Sequence, residues 1–518
     1  MQFTQGLHRA VQQHPEAVAT ICNGRNTRFR QLQDRVARLA GALRKLGVRN
    51  GDHVAMLALN SDYYLHYYLA VPWAGAVVNP VNFRWSLEEI IYSLQDSQSV
   101  AIFLDDSHAR HADALFEACP FLRFAVFCGE GACPDGLLDL ESLVAGAEPI
   151  EDAGLGSDET YGVFYTGGTT GKPKGVLLSH RALCSSALAL MAEGPFPEGC
   201  IGLHVAPMFH LADMMMTTCL LLRGGTHVML PAFRPDLVLQ AVARHRISEL
   251  LLVPAMLQAL VDHPEIGQYD LSPVQHLLYG ASPASEALLD RAMKALPDAA
   301  FRQVYGMTEL AATATTLPPS QHRGEGRANG RLRSAGRGFC HLQVRVADEE
   351  GRECARGEVG EILVRGPNVM QGYLNQPEAT AAALRDGWMH TGDMGYMDDG
   401  GYVFVVDRLK DMIISGGENV YSAEVENAIA RHPSVACCAV IGIPSEEWGE
   451  LVHAAVVLRP GATLSQEALY GHCKELIAGY KCPRSLELRE ALPLSGAGKV
   501  LKTELRQPYW EGRARAVN

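Results

Sequence analysis

Eleven residues, Tyr165-Thr-Gly-Gly-Thr-Thr-Gly-Lys-Pro-Lys-Gly175, concentrate the means of holding a polyphosphate. Four glycines let backbone N–H groups come close to phosphate oxygens, three threonine hydroxyls add donors, and two lysines add positive charge. The P-loop pattern G-x-x-x-x-G-K-[ST] does not fit. Its first glycine falls on Thr166, and Lys172 is followed by Pro173. Short apolar runs at 161–165 and 176–178 flank the stretch, so it reads as a loop joining two strands. A plain glycine-rich hairpin is the competing reading.

A second block, Val304-Tyr-Gly-Met-Thr-Glu309, offers an aromatic face for adenine in Tyr305, a hydroxyl for the α-phosphate in Thr308, and a hard carboxylate for Mg2+ in Glu309. Read singly, these are a core tyrosine, a capping threonine and a solvated glutamate. Tyr279-Gly-Ala-Ser-Pro283 is a turn at a strand end, with room for a ligand ring beside Gly280, Ala281 and Ser282. Further blocks stand at Leu203-His-Val-Ala-Pro-Met-Phe-His210, Trp388-Met-His-Thr-Gly-Asp393, Asp407-Arg-Leu-Lys-Asp411 and Leu492-Pro-Leu-Ser-Gly-Ala-Gly-Lys499.

Together these blocks resemble the adenylate-forming superfamily, in its acyl-CoA ligase branch, over nearly the whole chain. The superfamily includes acyl-CoA synthetases, peptide-synthetase adenylation domains and beetle luciferases. The resemblance implies a phosphate loop of Thr166, Gly167, Gly168, Thr169, Thr170, Gly171 and Lys174. It implies further nucleotide contacts from Gly280, Ala281, Ser282, Tyr305 and Gly306, with Asp393 and Arg408 at the ribose. His210, Leu211, Met214, Ala311 and Ala312 would line the acyl pocket, with His210 as its gate. His210, Thr308, Glu309 and Lys499 are the implied catalytic residues, and Glu309 the metal ligand. Lys410 is the implied hinge, and Gly416, Gly417 and Glu418 would line the CoA tunnel. Leu494 and Ala497 depart from the family, which often has a basic and a hydroxyl residue there. Asp213, beside the pocket, reads as an outward-facing or capping carboxylate.

The elements that must position these groups alternate between strand and helix. Residues 27–47 form a helix with Leu32, Val36, Leu39, Leu43 and Leu46 on one stripe, Thr27 as cap and Gly47 at the end. Strands at 54–59, 76–79 and 100–104 interleave with helices at 63–74 and 86–94; residues 134–157 read as a loop. The expected fold is therefore α/β: a large N-terminal domain of layered αβ subdomains with a small β subdomain near 357–366, and a small mobile α+β C-terminal domain. The expected boundaries are 1–407, a hinge at 408–411, and 412–518, with Ser422 capping the first helix of the last part.

With 518 residues the chain exceeds one core, and its net charge of −13 excludes a nucleic-acid surface. Thirteen cysteines without a C-x-x-C pair, and no secretory signal, read as free thiols in the cytoplasm. No apolar run is long enough for an integral membrane segment. The implied reaction joins a small carboxylic acid to CoA with ATP and Mg2+, the acid being a medium- to long-chain fatty acid or an aromatic carboxylate. A homodimer is compatible with this reading. A standalone ligase loading a separate carrier protein, and a nucleotide-binding protein without turnover, are the alternatives.

Overall fold

Two large sheets and two small ones make up the architecture in a computed structural model that describes residues 1–166, 173–282, 284–408, 411–415, 418–445, 447–495 and 500–511. The first sheet has nine strands. Its centre is parallel and runs Ala300–Tyr305, His276–Gly280, Glu249–Leu252, Ile201–His204, Thr226–Met229 and Val18–Cys22. The second has eight strands, parallel through Val77–Pro80, His53–Leu57, Ala101–Leu104 and Phe124–Phe127. Strands such as Ala101–Leu104 are buried along their whole length, as apolar runs covered by helices on both faces must be.

The phosphate-loop stretch sits at one edge of the second sheet. Thr160–Thr166 and Lys174–Ser179 form an antiparallel hairpin whose last register pair is Thr166 with Lys174. The expected small β subdomain is an antiparallel sheet of Gln343–Ala347, Gly360–Arg365, Trp388–Met397, Leu384–Arg385 and Val403–Arg408. The fourth sheet is built from residues 413–488, with Gly449–Leu458 at its middle, paired along one side in a long hairpin with Val435–Ser445. The buried clusters divide along the same line. Four draw only on residues up to 405 and two only on residues from 413 onward.

Three local expectations are corrected. The helix over 27–47 runs Phe29–Lys45, and Arg28 occupies its N-cap position, because Thr27 pairs with Thr20 in a strand. The expected loop 134–157 contains a short strand, Leu138–Asp139, and a helix, Leu140–Gly146, capped by the Asp139 carboxylate. Two turns are too short for helical periodicity to stand out. Ser422 is the first residue of its helix, not the cap; Tyr421 holds that position.

Candidate active site

Parallel strands of an open α/β sheet present their carboxyl ends to ligands, because the chain turns there and leaves crevices. Gly280, Tyr305 and the block following His204 all stand at such ends. A surface hollow of about 350 Å³ lies at the opposite edge, lined by Tyr269, Leu271, Val274, Leu296 and Pro297 ahead of the same strands. None of the predicted site residues lines it.

The base of the phosphate loop is held firmly. The Tyr165 hydroxyl donates to Asp96 Oδ2 at 2.7 Å, and Asn375 donates to the Asp96 carbonyl at 2.9 Å. Burial, and then Asp96, push the Tyr165 hydroxyl well above the ordinary tyrosine range, so it stays a donor. A Cβ on Gly175 would stand 2.9 Å from Val163 and 3.0 Å from the Tyr165 ring, so this glycine is fixed by packing on the hairpin itself. Gly167, Gly168, Thr169, Thr170 and Gly171 lie outside the described residues.

Beyond the hairpin, three segments converge. Lys174 places its ammonium 4.8 Å from the centre of the Tyr373 ring. The Tyr373 hydroxyl donates to Glu309 Oε1 at 2.8 Å. Glu309, 6 % exposed, sits in the 3-10 turn Thr308–Leu310 that follows the strand Ala300–Tyr305. The turn is stapled in place: Met370 N–H donates to the Glu309 carbonyl at 2.8 Å, and Asn368 Nδ2 donates to the carbonyls of Leu310 and Thr313 at 2.8 and 2.6 Å.

Backbone strain gathers in the same place. Ala311 and Ala312 carry φ values of +45° and +72°, and Ala281 one of +65°. Left-handed conformations cost a residue with a Cβ on the order of 1 kcal/mol and persist where surroundings over-determine them. Gly280 and Gly306 are required by close approach: a Cβ would fall 2.1 Å from the Val304 carbonyl oxygen and 2.2 Å from that of Ala312.

Tyr305 and Asp393 meet directly, the hydroxyl donating to Oδ2 at 2.6 Å. Asp393 belongs to the strand Trp388–Met397, in register with Arg408, the last residue of the neighbouring strand. An exposure of only 6 % and a carboxylate's acceptor-only character suit Asp393 to a pair of hydroxyls.

The acyl-side residues come together too. Phe209, Leu211, Met214, Leu310 and Ala311 share one buried cluster, with Tyr305, Ala312 and Tyr373 packed against it. His210 precedes the helix Leu211–Arg223 as its N-cap residue, half-buried, its ring 5.8 Å from that of Phe209. The preceding turn is fixed from below: Met208 N–H donates to Asn60 Oδ1 at 2.7 Å, and Tyr68 donates to the Met208 carbonyl at 2.6 Å. Asp213 corrects the expectation. It is 1 % exposed, and its Oδ2 lies 2.7 Å from His204 Nδ1, which in turn links through Nε2 to His227 at 3.0 Å. The residue faces the sheet, not solvent.

Among the described residues no three histidine, cysteine, aspartate or glutamate side chains stand together as a metal cage. A single buried carboxylate is the donor set for Mg2+ that keeps its waters and takes phosphate oxygens, so Glu309 fits that ion better than a protein-caged one. Thr308 opens the turn, and Ser282 is half-buried beside Ala281. Glu418 is exposed at the start of the strand Glu418–Val420. Lys410, Gly416, Gly417 and Lys499 lie outside the described residues, as does the Arg408 side chain. Sequence reasoning missed Tyr373, Asn368, Asp96 and Asn60; each acts through hydrogen bonds to distant segments, which no local spacing reveals.

Comparison with known proteins places these observations in a family. Residues 7–374 match the model described as AMP-binding enzyme, and residues 424–499 that of the AMP-binding enzyme C-terminal domain. Feruloyl-CoA synthase of an Amycolatopsis species is 41% identical over 507 residues, covering 97% of this chain and 98% of that protein. The fatty acid–[acyl-carrier-protein] ligase ScoC of Streptomyces coeruleorubidus is 37% identical over 512 residues, covering 98% and 96%. The crystal structure of ATP-bound MatB from Rhodopseudomonas palustris superposes with a TM-score of 0.88 at 31% identity, covering 98% and 99%.

Proposed function

The chain belongs to the AMP-binding enzyme family, and from that premise we propose how its residues divide the work of an ATP-dependent acyl-CoA ligase. The enzyme is an acid–thiol ligase that uses ATP, Mg2+ and CoA. A carboxylate is a poor electrophile, so it must first gain a leaving group. Its oxygen attacks the α-phosphorus of ATP, the bond from that phosphorus to the bridging oxygen breaks, and pyrophosphate departs. The CoA sulfur then attacks the acyl carbon, and AMP leaves with the electron pair of the acyl–oxygen bond.

In this reading Thr166, Gly167, Gly168, Thr169, Thr170, Gly171 and Lys174 hold the departing phosphates. Thr308 donates to the α-phosphate and Lys499 stabilises the charge that develops there, where losing one such contact costs about 3 kcal/mol of barrier. Mg2+, when bound at Glu309, neutralises charge between the phosphates. Gly280, Ala281, Ser282, Tyr305 and Gly306 receive adenine, and Asp393 with Arg408 receives the ribose. Residues 412–518 turn about Lys410, exchanging Lys499 for the CoA-facing Gly416, Gly417 and Glu418. The segregation of buried clusters on either side of 406–412 supports that division. A cytoplasmic location and a homodimer belong to the same reading; light scattering tests the second.

The observation that carries this reading is the convergence of Lys174, Tyr373 and Glu309 beside the Tyr305–Asp393 pair. The acid is apolar, a medium- to long-chain fatty acid or an aromatic carboxylate, because His210, Leu211, Met214, Ala311 and Ala312 offer a largely apolar wall. Similarity to a carrier-protein ligase favours a second acceptor, a carrier thiol. AMP release measured over a panel of carboxylic acids, with free CoA and with a phosphopantetheinylated carrier in parallel, tests both. Turnover of short polar acids alone contradicts the apolar pocket, and turnover with the carrier alone selects the second acceptor.

A further inference from the structure

Tyr373 belongs to none of the roles assigned so far, yet it touches two of them. Its backbone sits in the short strand Gly372–Tyr373, opposite Val176 in the hairpin arm that leaves the phosphate loop. The Tyr373 N–H donates to Thr380 Oγ1 at 2.8 Å, so the residue is locked from the far side as well. Gly372 has a φ of +152°, and a Cβ there would stand 2.9 Å from Thr380, so the approach that makes this lock demands glycine. From that fixed base the ring passes beneath Lys174, 4.8 Å from its ammonium, and the hydroxyl reaches Glu309 Oε1 at 2.8 Å.

A carboxylate turns readily about its last bond unless something holds one oxygen. A single hydroxyl donor on Oε1 fixes the plane of the group and so determines where Oε2 points. A cation against the ring face adds attraction that ties the loop lysine to the same ring.

We propose that Tyr373 is the positioning residue for the metal-site carboxylate: it orients Glu309 toward the ion and couples that orientation to the lysine that leaves the phosphate loop. The inference rests on the reading of Glu309 as the Mg2+ ligand. Tyr373 touches the ligand residue and not the reacting atoms, so it acts through Glu309.

The test uses the full chain with Mn2+ as the probe, its free fraction read by electron paramagnetic resonance in the presence of α,β-methylene ATP. In Tyr373→Phe the apparent Kd for Mn2+ rises by about tenfold or more, the size expected for one hydrogen bond to a charged group, and the Mg2+ half-saturation for adenylation rises in step. Thioester formation from supplied acyl-adenylate stays within about twofold of wild type, because that step does not use the α–β phosphate bridge. A side chain that merely filled space would slow both half-reactions alike and leave Mn2+ affinity unchanged, and that outcome overturns the inference. Should Tyr373→Phe not fold, Tyr373→His keeps an aromatic ring but is too short to reach Glu309 Oε1. Weakened Mn2+ affinity in that variant supports the proposal, and wild-type affinity contradicts it. Glu309→Gln separates the two levels. Wild-type Mn2+ affinity in Glu309→Gln defeats the metal-ligand reading and this inference with it. Weakened affinity in Glu309→Gln with none lost in Tyr373→Phe defeats this inference alone.

Discussion

The Tyr305 hydroxyl donates to Asp393 Oδ2 across 2.6 Å, joining a strand of the nine-stranded sheet to a strand of the small antiparallel sheet. In the proposed reading, the bond makes one unit of the face for adenine and the carboxylate for the ribose. Tyr305→Phe keeps the ring and removes the donor, leaving a buried carboxylate short of a partner at a cost of about 1–2 kcal/mol. The expected result is a KM for ATP raised by about tenfold with a smaller change in kcat. An unchanged KM in the AMP-release assay would separate the pair from nucleotide binding.

His210 stands at the head of the helix Leu211–Arg223, beside the cluster that holds Leu211, Met214 and Ala311. In the proposed reading, His210→Ala removes one wall of the acyl pocket and leaves the nucleotide side intact. The KM for the preferred acid rises by about tenfold, equivalent to roughly 1.4 kcal/mol of lost contact, while the KM for ATP moves less than about twofold. Equal shifts in both constants would place His210 elsewhere in the reaction.

Asp213 and His204 form a hydrogen-bonded pair with essentially no exposure, tying the first turn of that helix to the strand Ile201–His204. Asp213→Ala leaves the His204 Nδ1–H unpaired in the core, and a loss of about 2–4 kcal/mol in unfolding free energy is expected. Urea titration followed by circular dichroism measures it. A loss below about 0.5 kcal/mol, the range of ordinary surface changes, would mean the pair is not formed in solution.

Burial lowers His66, His180 and His322 from 6.5 to about 4. His180 Nδ1 also accepts the Phe3 N–H at 3.1 Å, which requires that nitrogen to be unprotonated. Between those pH values the unfolded chain takes up protons that the native chain refuses, so stability is full above pH 6.5 and falls as the pH drops toward 4. Each histidine contributes up to about 1.4 kcal/mol per pH unit across that window. His66, whose two ring nitrogens have no hydrogen-bond partner among the described residues, is the one to remove. His66→Leu should flatten the decline in unfolding free energy, measured by urea titration between pH 6.5 and 4.5, by about one such increment per unit. An identical decline in the variant would show that His66 is protonated in the fold.

Much of the site was legible because its residues lie in compact runs. The Tyr305–Glu309 block occupies a strand end and the turn after it, Asp393 lies within the strand Trp388–Met397, and the fold joins Tyr305 to Asp393. Residues whose role depends on a distant partner were not legible. Tyr373 has ordinary neighbours in sequence, and its meaning comes from Glu309, 64 positions away. Asp213 read as an outward carboxylate because a charged residue in a first helical turn is usually solvated; its partner His204 sits on another element nine positions earlier. The helix Leu140–Gly146 was hidden by its brevity, with two buried side chains against the larger core.

The central claim is that the acid oxygen attacks the α-phosphorus of ATP, with Lys499 stabilising the developing charge and Glu309 serving to hold Mg2+. It is tested most directly by supplying a heavy-oxygen-labelled carboxylic acid with ATP, Mg2+ and CoA, and following the label by mass spectrometry. The account predicts that one labelled oxygen appears in AMP in step with acyl-CoA formation, and that Lys499→Ala abolishes the transfer. Label retained entirely in the acid and its thioester, or ADP as the nucleotide product, would contradict it.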